Sequence, residues 1–166
     1  MKKQIYLAGG CFWGTEAYFA KLKGVSRTLC GYANGKTDNP TYEEVCRADT
    51  GHAEAVFVEY DDSVISTEKL LTEFFKTIDP TTKNRQGNDV GNQYRSGVYF
   101  VDEADEHMIR SYISKKQREY SKPIVTEILP MINFYPAEEY HQHYLDKNPN
   151  GYCHVDLNKI REEDKK

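Results

Sequence analysis

Strand-like runs recur near residues 4–8, 25–32, 53–60, 97–102 and 124–129, with helix-like runs between them. The strands are read from β-branched and aromatic content and from alternation with a period of two. The clearest helix runs from Ser66 to Ile78, where Leu70, Leu71, Phe74, Phe75 and Ile78 form one apolar stripe, Ser66 can cap the start and Pro80 follows the end. A second runs from about Glu103 to Glu119, with Met108, Ile109, Tyr112 and Ile113 turned to the core and Pro123 beyond it. Alternating elements of these lengths bury their apolar faces as an α/β or α+β sandwich, helices packed on one sheet. A chain of 166 residues without repeats or a low-complexity linker is expected to form one domain over 1–166.

Within that pattern one junction carries chemistry. Ile5-Tyr6-Leu7 passes through Ala8-Gly9-Gly10 into Cys11-Phe12-Trp13-Gly14-Thr15-Glu16, which puts a thiol at a helix N-terminus. Orphan N–H groups and the positive end of the helix dipole favour an anion there, so the Cys11 pKa is expected to fall. A free cysteine is more often a small buried apolar residue. The flanking glycines argue against that, because they admit close approach by a substrate or backbone. Phe12 and the only tryptophan, Trp13, offer a seat for an apolar, uncharged group. The glycine spacing matches neither a dinucleotide fingerprint nor a phosphate-binding loop.

Three long stretches follow neither period: Gly31 to Thr50, Asp79 to Ser96, and the segment 130–166. Loops this long in a small domain usually line a site. Glu54 lies on the strand Gly51 to Val58, on the same face as Val56 and Val58. Burial there would raise its pKa and hold it protonated near neutrality, able to donate; the alternative is a strand-end glutamate in solvent. Of the 13 tyrosines, Tyr42 and Tyr94 fall in the polar stretches. Tyr94 closes Gly87 to Arg95, a turn segment rich in donors and acceptors that either orients a bound oxygen or organises the loop alone. Cys153 follows a Pro-Asn-Gly turn in a segment expected to be mobile, free to swing toward Cys11 or to be an inert tail cysteine.

A net charge of −4 with both signs mixed along the chain is no footprint for nucleic acid or a basic membrane face. The apolar run in Met1 to Ala8 is too short for a signal peptide, and no stretch reaches membrane-span length, so a soluble cytoplasmic protein is expected. The four cysteines, Cys11, Cys30, Cys46 and Cys153, contain no Cys-x-x-Cys pair and read as thiols of a reducing compartment. Zinc on Cys30, Cys46 and His52 lacks the close ligand pairs of structural sites, and His141 and His143 share no helix face.

These residues, taken in order, resemble the A-type peptide methionine sulfoxide reductases. The resemblance rests on Gly10-Cys11-Phe12-Trp13-Gly14, Asn39-Pro40-Thr41-Tyr42, Gly51-His52-Ala53-Glu54-Ala55-Val56, Arg85-Gln86-Gly87-Asn88-Asp89 and Gln93-Tyr94-Arg95-Ser96. His141-Gln142-His143-Tyr144 and Lys147-Asn148-Pro149-Asn150-Gly151-Tyr152-Cys153 complete it. It implies a two-layer α/β sandwich around a mixed sheet, and the S epimer of methionine sulfoxide, free or in oxidised proteins, as substrate. It makes Cys11 the nucleophile, seats the substrate methyl on Phe12 and Trp13, and gives the sulfoxide oxygen to Glu54, Tyr42 and Tyr94, with Glu54 as the acid. Asp89 would support the pocket. A Cys11 sulfenic acid would be resolved by Cys153 as a Cys11–Cys153 disulfide, with thioredoxin as external reductant, no bound cofactor or metal, and a monomeric enzyme. Many relatives carry a further cysteine in the tail; Leu157 to Lys166 has none, so the disulfide would meet thioredoxin directly, with Cys46 a bystander or alternative resolver and Cys30 core. No B-type domain accompanies the chain, so the R epimer is not expected to react. The rivals are a cysteine hydrolase with His52, His141 or His143 as base, and a non-enzymatic thiol redox sensor.

Overall fold

Alternation of apolar side chains in β1 (Lys2–Gly9), β2 (Val25–Ala33) and β3 (Ala53–Asp61) builds the middle of the sheet. Ile5, Leu7, Cys30, Tyr32, Val56 and Val58 from these strands are fully buried on one face. The computed structural model describes residues 1–47 and 49–166. Between the strands lie α1 (Phe12–Ala20) and α2 (Tyr42–Cys46). After β3 come α3 (Thr67–Phe75), the small hairpin β4 (Arg85–Gln86) and β5 (Asp89–Val90), then β6 (Ser96–Phe100), α4 (Ala104–Lys116), β7 (Glu127–Pro130), β8 (Phe134–Pro136) and α5 (Tyr144–Lys147).

The sheet is six-stranded in the order β7-β6-β1-β3-β2-β8. It is mixed, because β6 and β7 run parallel through the α4 crossover while β1, β3, β2, β8 and β6 pair antiparallel. Residues of α1, α3 and α4 join the main core cluster over one face of the sheet, as the two-layer expectation requires. The other face carries a smaller cluster of Ala8, Ala33, Ala53, Ala55 and Tyr99, with Tyr6, Met131 and Phe134 packed on it. Leu70, Leu71, Phe74 and Phe75 of α3 are all buried, and full burial of such side chains contributes about 1.5–3 kcal/mol each.

The boundaries differ from the expected ones for local reasons. Ser66 Oγ accepts from Lys69 N at 3.0 Å and caps α3 as expected. The helix ends at Phe75 rather than Ile78, because the Thr77 hydroxyl and amide both bond the Phe74 carbonyl, at 2.6 and 2.9 Å. β7 begins at Glu127 rather than Ile124, because Ile124 N donates to Gln117 Oε1 and Val125 N to Pro80 O, leaving neither for a ladder. The polar stretches hide α2, started by a capping box between Thr41 and Glu44, and the edge strand β8, which is only three residues long.

The C-terminal segment, expected to be mobile, is docked. Val155 and Ile160 are buried in the main cluster, Lys23 N donates to Asp164 O at 2.8 Å, and Lys69 pairs with Asp164 at 3.1 Å. Among the described residues no helix is long and apolar enough to cross a membrane.

Candidate active site

β1 delivers the chain to Gly10, whose φ of +85° reverses it into α1. A Cβ on Gly10 would lie 2.7 Å from Gln86 Cβ and 3.1 Å from His154 Nε2, and one on Gly14 would lie 3.1 Å from Cys153 Sγ. These glycines therefore admit the protein's own side chains, not only a substrate.

Cys11 sits at the N-cap of α1 with 9% of its surface exposed. Its pKa moves opposite to the expected direction. Burial raises it well above the ordinary thiol value and a charged Glu54 would add to that, while the Trp13 backbone N–H pulls it back only in part. A helix N-terminus favours a thiolate, but burial disfavours the charged form, and here desolvation wins.

Glu54 is 1% exposed on the core face of β3. Phe12 N donates to its Oε1 at 3.2 Å, while Oε2 is buried without a protein partner. Burial, with a smaller contribution from the Asp89 charge, pushes its pKa up to about 8 against the opposing Phe12 bond. Glu54 is therefore a carboxylic acid at neutral pH, its free oxygen the natural place for the proton.

The aromatic wall is built from both ends of the chain. Trp13 stacks on Tyr144, centroids 3.7 Å apart and planes 9° from parallel, and its Nε1–H donates to His141 Nδ1 at 3.0 Å. The His141 ring also lies 5.2 Å from Phe12 and 4.5 Å from Tyr42, centroid to centroid. Burial lowers the His141 pKa, which suits an imidazole accepting from tryptophan. Tyr42 and Tyr94 have their pKa values raised by burial first and by the Glu54 charge among further causes, so both keep their hydroxyl protons; Tyr94 also feels Asp89 and Cys11. Asp89 accepts from the Tyr152 hydroxyl at 2.8 Å, which ties β5 to the residue before Cys153.

All four cysteines are free. Cys153 is half-buried against Gly14 with Sγ 3.2 Å from Val155 O, and its pKa is raised by burial. Cys30 is core, as expected, its thiol 3.3 Å from Glu16 Oε1. Cys46 is exposed. Among the described residues no cluster of His, Cys, Asp and Glu could hold a metal ion.

The histidines that a hydrolase would need are otherwise engaged. His52 accepts from Gly35 N at 3.1 Å and donates to Thr37 O at 2.7 Å, holding the loop before β3. His141 is bound to Trp13, and His143 turns to Glu16, 3.9 Å away. Sequence reasoning missed the contributions of His141, Tyr144, Tyr152 and His154. His141 and Tyr144 lie three apart, a spacing that can share a face, and this is the signal that could have found the aromatic wall, whereas the sequence offers His141 as a hydrolase base or metal ligand and Tyr144 only within a motif.

A thiol that shares its site with a carboxyl held neutral by burial suits removal of an oxygen that must leave protonated rather than acyl transfer. The fold and site define a thiol-dependent oxidoreductase. The family described as peptide methionine sulfoxide reductase matches residues 3–166. Peptide methionine sulfoxide reductase MsrA of Clostridium acetobutylicum is 60% identical over 153 residues, 92% of this chain and 94% of that one. Mxr1 from Saccharomyces cerevisiae in reduced form is 45% identical with a TM-score of 0.87, over 92% of this chain and 88% of that one. Mxr1 in complex with Trx2 is matched at 30% identity and a TM-score of 0.62, over 86% and 84%. The chain belongs to the peptide methionine sulfoxide reductase family, A type, whose members reduce methionine sulfoxide with thiols.

Proposed function

We propose that Cys11 reduces the S epimer of methionine sulfoxide, free or in oxidised proteins, with Glu54 as the acid. The observation that carries this reading is the unpartnered Oε2 of Glu54, a buried carboxyl oxygen that stays protonated up to about pH 8 and shares the site with the thiol. The substrate methyl rests on Phe12 and Trp13, whose ring is fixed by Tyr144 and His141. The sulfoxide oxygen points to Glu54 and to the Tyr42 and Tyr94 hydroxyls, donors that strengthen as charge grows on it. Asp89 holds the polar side of the pocket through Tyr152.

Glu54 gives its proton to the oxygen as the Cys11 sulfur attacks the sulfoxide sulfur, and the carboxylate so formed takes the thiol proton. This relay removes the need for a preformed thiolate. Methionine leaves, the oxygen passes to Cys11 as a sulfenic acid, and a positioned acid contributes about 10²–10⁴ in rate. Cys153 then displaces the hydroxyl, giving the Cys11–Cys153 disulfide and water. Thioredoxin, the partner of Mxr1 in the complex with Trx2, reduces that disulfide by thiol exchange. The chain works as one catalytic domain over 1–166, a monomer in a reducing cytoplasm, with Cys46 outside the cycle.

The test is a single turnover. Reduced protein without external reductant is mixed with each separated epimer of a methionine sulfoxide peptide, and methionine and lost thiols are counted. Two thiols lost per methionine, with the S epimer only, is the expected result; no methionine from either epimer, in folded protein with Cys11 reduced, would overturn the reading.

A further inference from the structure

We infer that His154 is a positioning residue for the resolving step, its ring clipping the C-terminal segment onto the β1–α1 turn so that Cys153 is presented to Cys11. His154 Nε2 lies 2.8 Å from Gly9 O. A carbonyl only accepts, so the ring proton sits on Nε2 and the bond joins the residue after Cys153 to a residue just two before Cys11. The inference rests on the proposed Cys11–Cys153 cycle.

The ring fits because its slot has been cleared. Gly10 carries no side chain where a Cβ would meet Nε2 at 3.1 Å, and Gln86, which backs the slot, is locked by Asp79 N at 2.8 Å and Asp79 O at 2.9 Å. Gly87 faces His154 Cβ in ordinary contact. On the other side of Cys153, the Tyr152 hydroxyl binds Asp89 in β5. Cys153 thus lies between two side-chain tethers, with its sulfur against Gly14, on the same first stretch of α1 that Cys11 caps. Tyr152 and His154 are held to the site by their side chains, while the Cys153 thiol bonds only within its own segment, to Val155 O at 3.2 Å, so the thiol can turn while its neighbours stay. Holding two reacting groups together is what converts a chance encounter into a fast intramolecular step. The Tyr152–Asp89 bond also supports the sulfoxide pocket, but the His154 clip binds only Gly9 O, so the first half of the cycle does not depend on His154.

The experiment compares His154→Ala with His154→Gln in the full chain, with two readouts. Methionine release in a single turnover reports the first step; loss of the Cys153 thiol, with trapping of the Cys11 sulfenic acid by dimedone, reports the second. The expected result is a wild-type first step for both variants. Disulfide closure slows about tenfold or more in His154→Ala, the kinetic equivalent of about one buried hydrogen bond, with more dimedone adduct. His154→Gln, whose amide N–H can reach Gly9 O, closes the disulfide near the wild-type rate. Wild-type closure in the alanine variant, no rescue by glutamine, or equal slowing of both steps would overturn the assignment. Wild-type protein that makes methionine but loses only one thiol would instead show that the disulfide cycle itself is wrong.

Discussion

Replacing Glu54 by glutamine should make the protein slower and more stable at once. A free glutamate titrates at 4.5 and the folded one at about 8. Below pH 4.5 the group is protonated in both states and imposes no penalty. Between the two values unfolding releases a proton, so the fold loses stability as pH rises, at up to 1.36 kcal/mol per pH unit. The accumulated loss is about 3 kcal/mol at pH 7 and levels off near about 5 kcal/mol above pH 8. Because the side chain is buried, solvent screening does little to reduce it. Glutamine keeps the shape and can still accept from Phe12 N through its oxygen, and its amide replaces an oxygen that has no protein partner in the native site. The variant should therefore exceed the wild type in urea melts of reduced protein by only about 1 kcal/mol at pH 5 and by about 3 kcal/mol at pH 7. Its single-turnover methionine release should fall by about 10²–10⁴, with substrate affinity largely kept. In the wild type the same rate should hold up to about pH 8 and decline above it. A stability difference that does not change between pH 5 and pH 7 would mean that Glu54 is ionised in the fold. An unchanged single-turnover rate would remove it as the acid.

Because burial holds Cys11 as a thiol, its alkylation by iodoacetamide in the free enzyme should be slow at pH 7 and accelerate only in alkaline solution; a fast phase at pH 6–7, mapped to Cys11 by mass spectrometry, would restore the helix-stabilised thiolate. Cys153→Ser should release about one methionine per enzyme and then stall with thioredoxin, and full turnover would point to Cys46. His52→Ala should lower stability by about 1–3 kcal/mol, since Gly35 N and Thr37 O lose their partner; an unchanged urea midpoint would show that the loop is held otherwise.

The main elements of this fold were legible because their signals are local. Period-two runs located β1, β2, β3 and β6, and one apolar stripe with a capping serine located α3, since side-chain direction follows from the backbone alone. Glu54 was legible for the same reason, its parity with Val56 and Val58 placing it on the core face. The short elements were not: α2 has a local capping box but only five residues, too few to show a period, and β8 has no ladder until β2 offers Gly31 to Ala33.

For the site, the sequence by itself determined which groups are present: a thiol at a strand-to-helix turn, an apolar-face carboxyl, two tyrosines in polar loops and a second cysteine near the end. Only the tertiary structure decided their states. The helix N-terminus argued for a depressed Cys11 pKa, but how far water is excluded is a property of everything packed around the sulfur, and burial reversed the sign. Whether Cys153 hangs free or lies against Gly14, and whether His141 serves as base, ligand or wall, likewise depended on contacts between residues more than a hundred positions apart. Such contacts follow from the closure of the whole chain, because desolvation and pairing are collective and no local period encodes them.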